Sequence, residues 1–162
     1  MIQGGVMETR FIADAMLGKL ARWMRVLGCD VAYFPTIGDR ELVELAADSG
    51  RLILTRDTLL VRRRWVRDNH FFVEGDDFRS QLRQVVERFA IDPNARFLTR
   101  CLACNALLAE IGKGAVRELV PSYIYETQEE FRICPICSRI YWQGTHRLGM
   151  AAEIAQLLKT VP

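Results

Sequence analysis

The sequence lacks the features that mark several common classes of protein. No apolar run approaches the roughly 20 residues of a membrane-spanning helix, and the amino terminus, MIQGGVMETR, has no signal-peptide hydrophobic region. Neither GxGxxG nor GxxxxGK(S/T) occurs, so the usual signatures of dinucleotide and P-loop binding are missing. We therefore expect a cytoplasmic protein with no membrane partner.

The sequence also has few histidines and a small net charge. Two histidines give no support to a paired-histidine nuclease mechanism, and a net charge of +2 permits nucleic-acid binding without requiring it. The charge is unevenly distributed, however, because five arginines fall within twelve residues: Arg56, Arg62, Arg63, Arg64 and Arg67. Such a cluster could contact phosphates, but taken alone it is better explained as an ordinary solvated, arginine-rich helix face.

Strand-like and helix-like segments alternate from residue 10 to about residue 90. The patterns predict strands at 10–14, 30–34, 51–55 and 70–75, and helices at 16–28, 39–50, 58–68 and 76–90. In the second helix Asp39 is the expected N-cap and Gly50 the expected stop. Alternation with short connections predicts βαβ units and a mostly parallel sheet covered on both faces, so the fold class is α/β.

Four of the five cysteines form two Cys-x2-Cys pairs that are separated by 29 residues: Cys101 with Cys104, and Cys134 with Cys137. Two residues between cysteines let both thiolates reach one ion from a tight turn, and two such turns complete the tetrahedron of a structural Zn²⁺. Four thiolates leave no position for water, so we expect this zinc to support folding. Redox pairs or unpaired thiols are the alternative.

Carboxylates occur at four successive strand–helix junctions. They are Asp14, Asp39, Asp57 and the pair formed by Asp76 and Asp77. Helix capping explains any one of them. Ligands of parallel α/β sheets bind beyond the carboxyl ends of the strands, so the acids of the first three strands could also converge there and hold Mg²⁺ or Mn²⁺. Glu41, in the first turn of the second helix, could complete such a site.

Three stretches of the chain resemble a known family: FIADAMLGKLARWMRVLGCDVAYF, DRELVELAADSGRLILTRD and CPICSRIYWQGTHRLGM. They resemble the PIN-like RNase domain first described at the carboxyl terminus of the mut-seven exonuclease. Stand-alone bacterial and archaeal members of that family join a PIN-type domain to a C-terminal zinc ribbon. The resemblance covers roughly residues 10 to 150, nearly the whole chain.

The resemblance implies a PIN-like three-layer domain at residues 8–92 and a zinc-ribbon module at 97–148. The residue pattern of the tail predicts an amphipathic helix at 149–162. The resemblance also implies a metal-dependent ribonuclease that hydrolyses RNA phosphodiester bonds. Asp14, Asp39 and Asp57 would hold Mg²⁺ or Mn²⁺, helped by Glu41 or by one acid of the 76–77 pair. The residues that would position the RNA backbone are Lys19, Arg22, Arg56, Arg62, Arg63, Arg64 and Arg67.

One departure from the family pattern and two other functions remain open. The stretch TRDTLL lacks the further acid that follows TRD in relatives, which leaves the fourth metal ligand undecided. The protein could instead be a non-enzymatic RNA- or ribosome-binding adaptor, in which the acids are caps and the zinc ribbon grips RNA or a protein partner. A PIN-type toxin is the third possibility.

Overall fold

The structure is a computed structural model that describes residues 8–159 of the 162-residue chain. The chain forms two compact units. The first contains the chain up to Met24 together with Cys29–Ile91, and the second contains Arg25–Gly28 together with the chain from Asp92 onward. None of the helices within residues 8–159 has the length and apolar character that crossing a membrane requires.

The first unit is built on a four-stranded parallel sheet. Its strands are β1 (Phe11–Ala13), β2 (Val31–Tyr33), β3 (Leu52–Thr55) and β4 (His70–Phe72). The order across the sheet is β2-β1-β3-β4, and Ala13 at the end of β1 pairs with both Tyr33 and Leu54. The carboxyl ends of β1, β2 and β3 therefore lie side by side, and the predicted α/β class is confirmed.

Helices cover both faces of this sheet. They are α1 (Gly18–Val26), α2 (Asp39–Ser49), α3 (Arg64–Arg67) and α4 (Phe78–Arg88). Side chains alternate between faces along a strand. Ile12 and Ile53 belong to a buried cluster with residues of α2 and α3. On the opposite face, Phe11 and Phe71 contact Phe89, which follows α4, with ring centroids 5.0 and 5.5 Å apart.

The segment 58–68 is not the continuous helix that its pattern predicts. A 3₁₀ turn covers Leu60–Arg62, Arg63 is extended at φ −65° and ψ 135°, and α3 then forms a single turn. Leu60 and Val66 are both fully buried. In one continuous helix these positions would point about 120° apart, so the break lets both side chains enter the same core.

The prediction that Asp39 caps α2 is wrong. Gly38 is the N-cap, extended at φ −87° and ψ 160°, and its carbonyl accepts the Leu42 amide at 2.9 Å. Asp39 is the first helical residue, so its carboxylate can project away from the helix end. Gly50 ends the helix in the left-handed conformation at φ 63°, as predicted.

The second unit contains a three-stranded antiparallel sheet, two α-helices and a 3₁₀ helix at Lys113–Val116. The strands β5 (Ala109–Ile111), β6 (Phe131–Ile133) and β7 (Ile140–Trp142) are ordered β5-β6-β7. The helices are α5 (Ser122–Thr127) and α6 (Thr145–Lys159). A small core joins Val116, Val120, Ile124 and Phe131. The predicted tail helix at 149–162 begins earlier, at Thr145, and residues 160–162 lie outside the described part of the chain.

The segment Arg25–Gly28 packs within this second unit. The Arg25 side chain is buried, and its guanidinium donates to the carbonyls of Leu102 and Ala103 at 3.1 and 3.0 Å. Gly28 has φ 82°, and a Cβ there would lie 2.2 Å from the Arg96 carbonyl oxygen. Glycine is required at this position by both its conformation and the close backbone approach.

Candidate functional site

The four paired cysteines converge at one point in the second unit. Their sulfur atoms all lie within 4.8 Å of one another. Cys101 and Cys137 are 3.5 Å apart, and Cys104 and Cys134 are 3.3 Å apart. Tetrahedral zinc with Zn–S bonds of about 2.3 Å places its sulfurs roughly 3.8 Å apart. The donor set and its spacing therefore fit a four-coordinate, thiolate-bound metal ion.

Two backbone loops with the same hydrogen bonds present these sulfurs. The Cys101 amide donates to the Ala106 carbonyl at 2.8 Å, and the Cys101 carbonyl accepts the Asn105 amide at 2.9 Å. The second loop repeats both bonds from Cys134, each at 2.9 Å. The residue after the second cysteine is left-handed in both loops, with φ 73° at Asn105 and 62° at Ser138. Each turn thus directs two sulfurs to one side.

A tyrosine supports the sulfur of Cys101, one of the two fully buried cysteines of the site. The Tyr141 hydroxyl lies 3.1 Å from Cys101 Sγ and accepts the Leu102 amide at 3.1 Å. Burial, reinforced by the hydrogen bond to Cys101, raises the pKa of Tyr141, so the hydroxyl keeps its proton and can donate to a thiolate. Such an outer contact orients a metal ligand.

The thiols differ in their tendency to ionise. Burial opposes ionisation of Cys101, but hydrogen bonds from Tyr141 and from the Cys104 and Ala103 amides outweigh it and lower its pKa to about 6. Loss of solvent and the neighbouring sulfur of Cys134 raise the pKa of Cys104 to about 12. Four thiols this close cannot all ionise unless a cation balances their charge, which a bound divalent metal would do.

A second set of polar groups lies at the carboxyl edge of the parallel sheet. Asp14 is only 6% exposed; its Oδ1 accepts the Ala15 amide and its Oδ2 accepts the Thr55 hydroxyl, each at 2.7 Å. Thr55 is fully buried, and its Oγ1 also accepts the Asp57 amide at 3.0 Å. The hydroxyl of Thr55 therefore links the acids that end β1 and follow β3.

One carboxylate oxygen of Asp57 caps the turn that follows β3. Oδ1 accepts the amides of Leu59 at 2.7 Å and Leu60 at 3.1 Å. Within residues 8–159, Oδ2 has no hydrogen-bond partner. Capping fixes the side chain and leaves one oxygen for another ligand.

The other predicted acids differ from these two. Asp39 is exposed and forms an ion pair with Arg63 at 3.1 Å, and Glu41 is exposed. Asp76 pairs with Arg56 at 2.5 Å, whereas Asp77 caps α4 by accepting the Ser80 amide at 3.1 Å. In the described part of the chain, only the four cysteines form a group of three or more ligands within 4.8 Å, so Asp14, Asp39 and Asp57 are not brought that close.

The predicted RNA-binding cations are on the surface of the first unit. Lys19 Nζ lies 4.4 Å from the centroid of the Phe78 ring, so part of this cationic set is held by an aromatic side chain. Arg56 and Arg63 are held by the ion pairs given above. The other four are exposed and lie on α1, on the 3₁₀ turn and on α3: Arg22, Arg62, Arg64 and Arg67.

The sequence interpretation did not single out Thr55 or Tyr141. Each is a polar residue within an apolar strand, LILT and IYW respectively. A hydroxyl at such a position needs a partner when it is buried, and this is the signal that could have identified both residues.

The chain therefore belongs to the class of proteins that join a parallel α/β unit to a unit with a four-cysteine site. The family model of the Mut7-C RNAse domain matches residues 9–154, and the chain belongs to this family. The family description indicates an RNase-type function with RNA as the substrate class. No curated protein and no solved structure matches the chain.

Proposed function

We propose that this protein is a metal-dependent ribonuclease that hydrolyses RNA phosphodiester bonds at the carboxyl edge of β1, β2 and β3, the PIN-like hydrolase that the sequence predicts. One observation carries the proposal. In a chain of an RNase family, Asp14 and Asp57 follow adjacent parallel strands, and the Thr55 hydroxyl donates to the Asp14 carboxylate and accepts the Asp57 amide. Ligands of parallel sheets bind at this edge.

Asp14 and Asp57 are the first candidates to hold Mg²⁺ or Mn²⁺, with Asp39 and Glu41 completing the acidic set. Mg²⁺ keeps several waters and contacts only one or two carboxylates directly, so acids spread over more than 4.8 Å suit it. When bound, such an ion activates water and offsets charge on the phosphodiester. Thr55 fixes the Asp14 carboxylate, and Oδ2 of Asp57 is the oxygen left to contact the ion.

The basic residues would hold the RNA. The exposed Arg62, Arg64 and Arg67 can contact phosphates directly, as can Lys19 and Arg22 on α1. Arg56 and Arg63 already neutralise carboxylates in this structure, so RNA would have to compete for them.

We further propose that the four-cysteine site holds a structural Zn²⁺. Its support is the four-sulfur geometry together with the two matching loops. Reduced cysteines persist in a reducing compartment, so we place the protein in the cytoplasm.

A non-enzymatic adaptor that binds RNA, the ribosome or a protein partner is the second candidate. The observation in its favour is that hydrogen bonds within the chain occupy both carboxylate oxygens of Asp14 and one of Asp57. In that case the acids serve only to shape the loops after β1 and β3.

The Asp57→Asn variant distinguishes the two functions. Asn also accepts the amide hydrogen bonds of a cap, so folding should survive. Loss of the carboxylate should lower Mg²⁺- or Mn²⁺-dependent cleavage of labelled RNA by at least about 100-fold. Asp92→Asn is the matched control, because Asp92 Oδ1 accepts the Asn94 amide in the same way at 2.9 Å.

Gel assays of RNA cleavage and urea denaturation would be run on both variants. The proposal requires that Asp92→Asn cleaves normally and that both variants unfold at the wild-type urea concentration. Cleavage by Asp57→Asn at the wild-type rate would leave the adaptor as the better description.

A further inference from the structure

A cavity of about 480 Å³ in the second unit lies outside the acidic edge. Its lining includes Glu110, Arg132 and Tyr141, which stand directly opposite one another across β5, β6 and β7. Residues paired in this way project from the same face of a sheet. Phe97 also lines the cavity, as does Trp142, which is paired with Phe131 and therefore belongs to the other face of the sheet.

The size and lining of this cavity suit one nucleotide. Ligand sites commonly enclose about 300–1,000 Å³ and combine aromatic surface with a few polar groups. Trp142 is 36% exposed, although it belongs to the large aromatic residues that are usually covered. An aromatic surface open to solvent can stack against a nucleobase, and this kind of contact tolerates any base.

The charges of the cleft are suited to a phosphate and the edge of a base. Lys113 is bound to Glu129 at 2.6 Å, and Glu130 accepts a hydrogen bond from Gln143. These contacts leave two cations of the lining, Arg132 and Arg147, without a carboxylate partner in residues 8–159.

The cations, the aromatic rings and a carboxylate of the cleft are placed where the phosphate, the base and the base edge of one nucleotide could contact them. The Arg147 guanidinium lies 5.9 Å from the centre of the Phe97 ring. A phosphate bound by Arg147 would therefore place its sugar and base near an aromatic ring. Glu110, opposite Arg132 on the same sheet face, can accept hydrogen bonds from the N–H groups of a base edge.

We infer that this cleft binds one nucleotide of single-stranded RNA, with its base against Phe97 and Trp142 and its phosphate against Arg132 and Arg147. The inference rests on RNA being the substrate of the proposed ribonuclease. Bases in an RNA duplex are stacked inside the helix and cannot reach aromatic side chains, so the occupant is unpaired. A free nucleoside monophosphate offers the same base and phosphate and forms a separate arm of the test.

The test measures RNA binding without cleavage. The full chain carrying Asp57→Asn is titrated, without added Mg²⁺ or Mn²⁺, into a fluorescent single-stranded oligoribonucleotide of about 10 nucleotides. Adding Trp142→Ala should weaken binding about tenfold. Adding Arg147→Ala should weaken binding several-fold and make it less dependent on salt.

Matched controls remove the same kinds of side chain elsewhere in the second unit. Tyr123 is 66% exposed and Arg117 is exposed, and neither lines the cavity. Tyr123→Ala and Arg117→Ala should bind the oligonucleotide as the parent does. Metal content and thermal unfolding of every variant report folding, and Arg147, on α6, provides a test that leaves β7 intact.

The outcomes separate this inference from the proposed function. Parent-like binding by both cleft variants, with metal retained, overturns the inference even if the wild-type chain cleaves RNA. Weakened binding by the cleft variants alone supports the inference even if the wild-type chain does not cleave RNA. Displacement of the oligonucleotide by an equal concentration of adenosine or uridine monophosphate would make the cleft a mononucleotide site and overturn the RNA assignment.

Discussion

Thr55 connects the two most structured carboxylates of the acidic edge. Its hydroxyl has one proton, which it donates to Asp14, and a lone pair, which accepts the Asp57 amide. Because Thr55 is fully buried, water cannot replace either bond. A single hydroxyl thus sets the position of one candidate ligand and the entry to the loop that carries the other.

Replacement of Thr55 by Val keeps the shape of the side chain and removes the hydroxyl. Asp14 would lose a buried hydrogen-bond donor and the Asp57 amide its acceptor, so the free energy of unfolding should fall by about 1–3 kcal/mol. Urea denaturation measures this change. Ribonuclease activity should fall as well, because the orientation of Asp14 is no longer fixed.

Thr127→Val is the control for this substitution. The Thr127 hydroxyl donates to the Tyr123 carbonyl at 2.6 Å, but the residue is exposed on α5 and water can take over the bond. Its free energy of unfolding should change by no more than about 0.5 kcal/mol. Equal losses in the two variants would show that burial of the Thr55 bonds has no special effect.

At the scale of single residues, the sequence indicated which side chains could bind a metal better than it indicated which residues contact one another. The four cysteines could be grouped because Cys-x2-Cys spacing restricts the loop that holds them. Asp39 could not be assigned correctly, because Gly38 and Asp39 are both good N-caps, and Arg63, the ion-pair partner of Asp39, lies 24 positions away. The catalytic role of the acids stays a prediction.

At the scale of elements, the two cysteine loops share a backbone requirement. Asn105 and Ser138 both adopt a left-handed conformation, which costs most residues roughly 1–2 kcal/mol. Asn tolerates this conformation better than Ser does. Ser138 is therefore the more strained of the two positions.

Substitutions at Ser138 should rank by their tolerance of positive φ. Ser138→Gly should keep the thermal midpoint of the metal-loaded protein, since glycine adopts this conformation freely. Ser138→Val should lower it, because a β-branched side chain clashes with the backbone there. Thermal unfolding and competition with a chromophoric chelator measure both variants. Equal midpoints would contradict the left-handed turn.

Gly18, the first residue of α1, leaves no room for a side chain because the ring of Tyr33 lies against it. A Cβ on Gly18 would lie 2.5 Å from the Tyr33 hydroxyl oxygen, which donates to the Ala15 carbonyl at 2.9 Å. Gly18→Ala would displace this hydroxyl, and loss of the bond costs about 1 kcal/mol. The bond ties the end of β2 to the turn after β1.

The comparison with Gly114 isolates this steric effect. A Cβ on Gly114 meets no atom within 4 Å, so Gly114→Ala should raise the free energy of unfolding by about 0.4–1 kcal/mol. Gly18→Ala should lower it instead, as measured by urea denaturation. A gain in stability for both variants would mean that Tyr33 moves aside without loss.

At the scale of the whole molecule, a metal held by the four cysteines should contribute unequally to the stability of the two units. The second unit has a small core cluster of Val116, Val120, Ile124 and Phe131, and such modules depend on metal for stability. Chelation should therefore abolish hydrogen-exchange protection of the loop amides at Cys101 and Cys134. The Ile53 amide, bonded to the Asn69 carbonyl at 3.0 Å, should stay protected.

Hydrogen exchange with mass spectrometry, before and after chelation, tests this difference. Addition of Zn²⁺ should restore the protection of the cysteine loops. Unchanged exchange in those loops after complete metal removal would contradict a structural role for the metal. Equal loss of protection in β3 would contradict the separate stability of the first unit.

The α/β architecture of the first unit could be predicted because its apolar runs and helical repeats are local signals. All four predicted strands contain the observed ones, although they extend one or more residues beyond them. The strands of the second unit have three residues each and mixed burial, so they give no clear periodic signal. The hydrogen bond from Arg25 to the Leu102 carbonyl joins residues 77 positions apart, so no local sequence pattern predicts it.

The place of Arg25–Gly28 in the second unit has a consequence for how the gene can be divided. The segment lies between two parts of the first unit in the chain, so every uninterrupted stretch of coding sequence that encodes the whole second unit also encodes part of the first. A truncated gene that begins at Asp92 would encode all four cysteines but would leave the guanidinium of Arg25 on the discarded piece. The coding sequences of the two units therefore overlap along the gene. A recombination event that transfers one unit intact must also transfer part of the other.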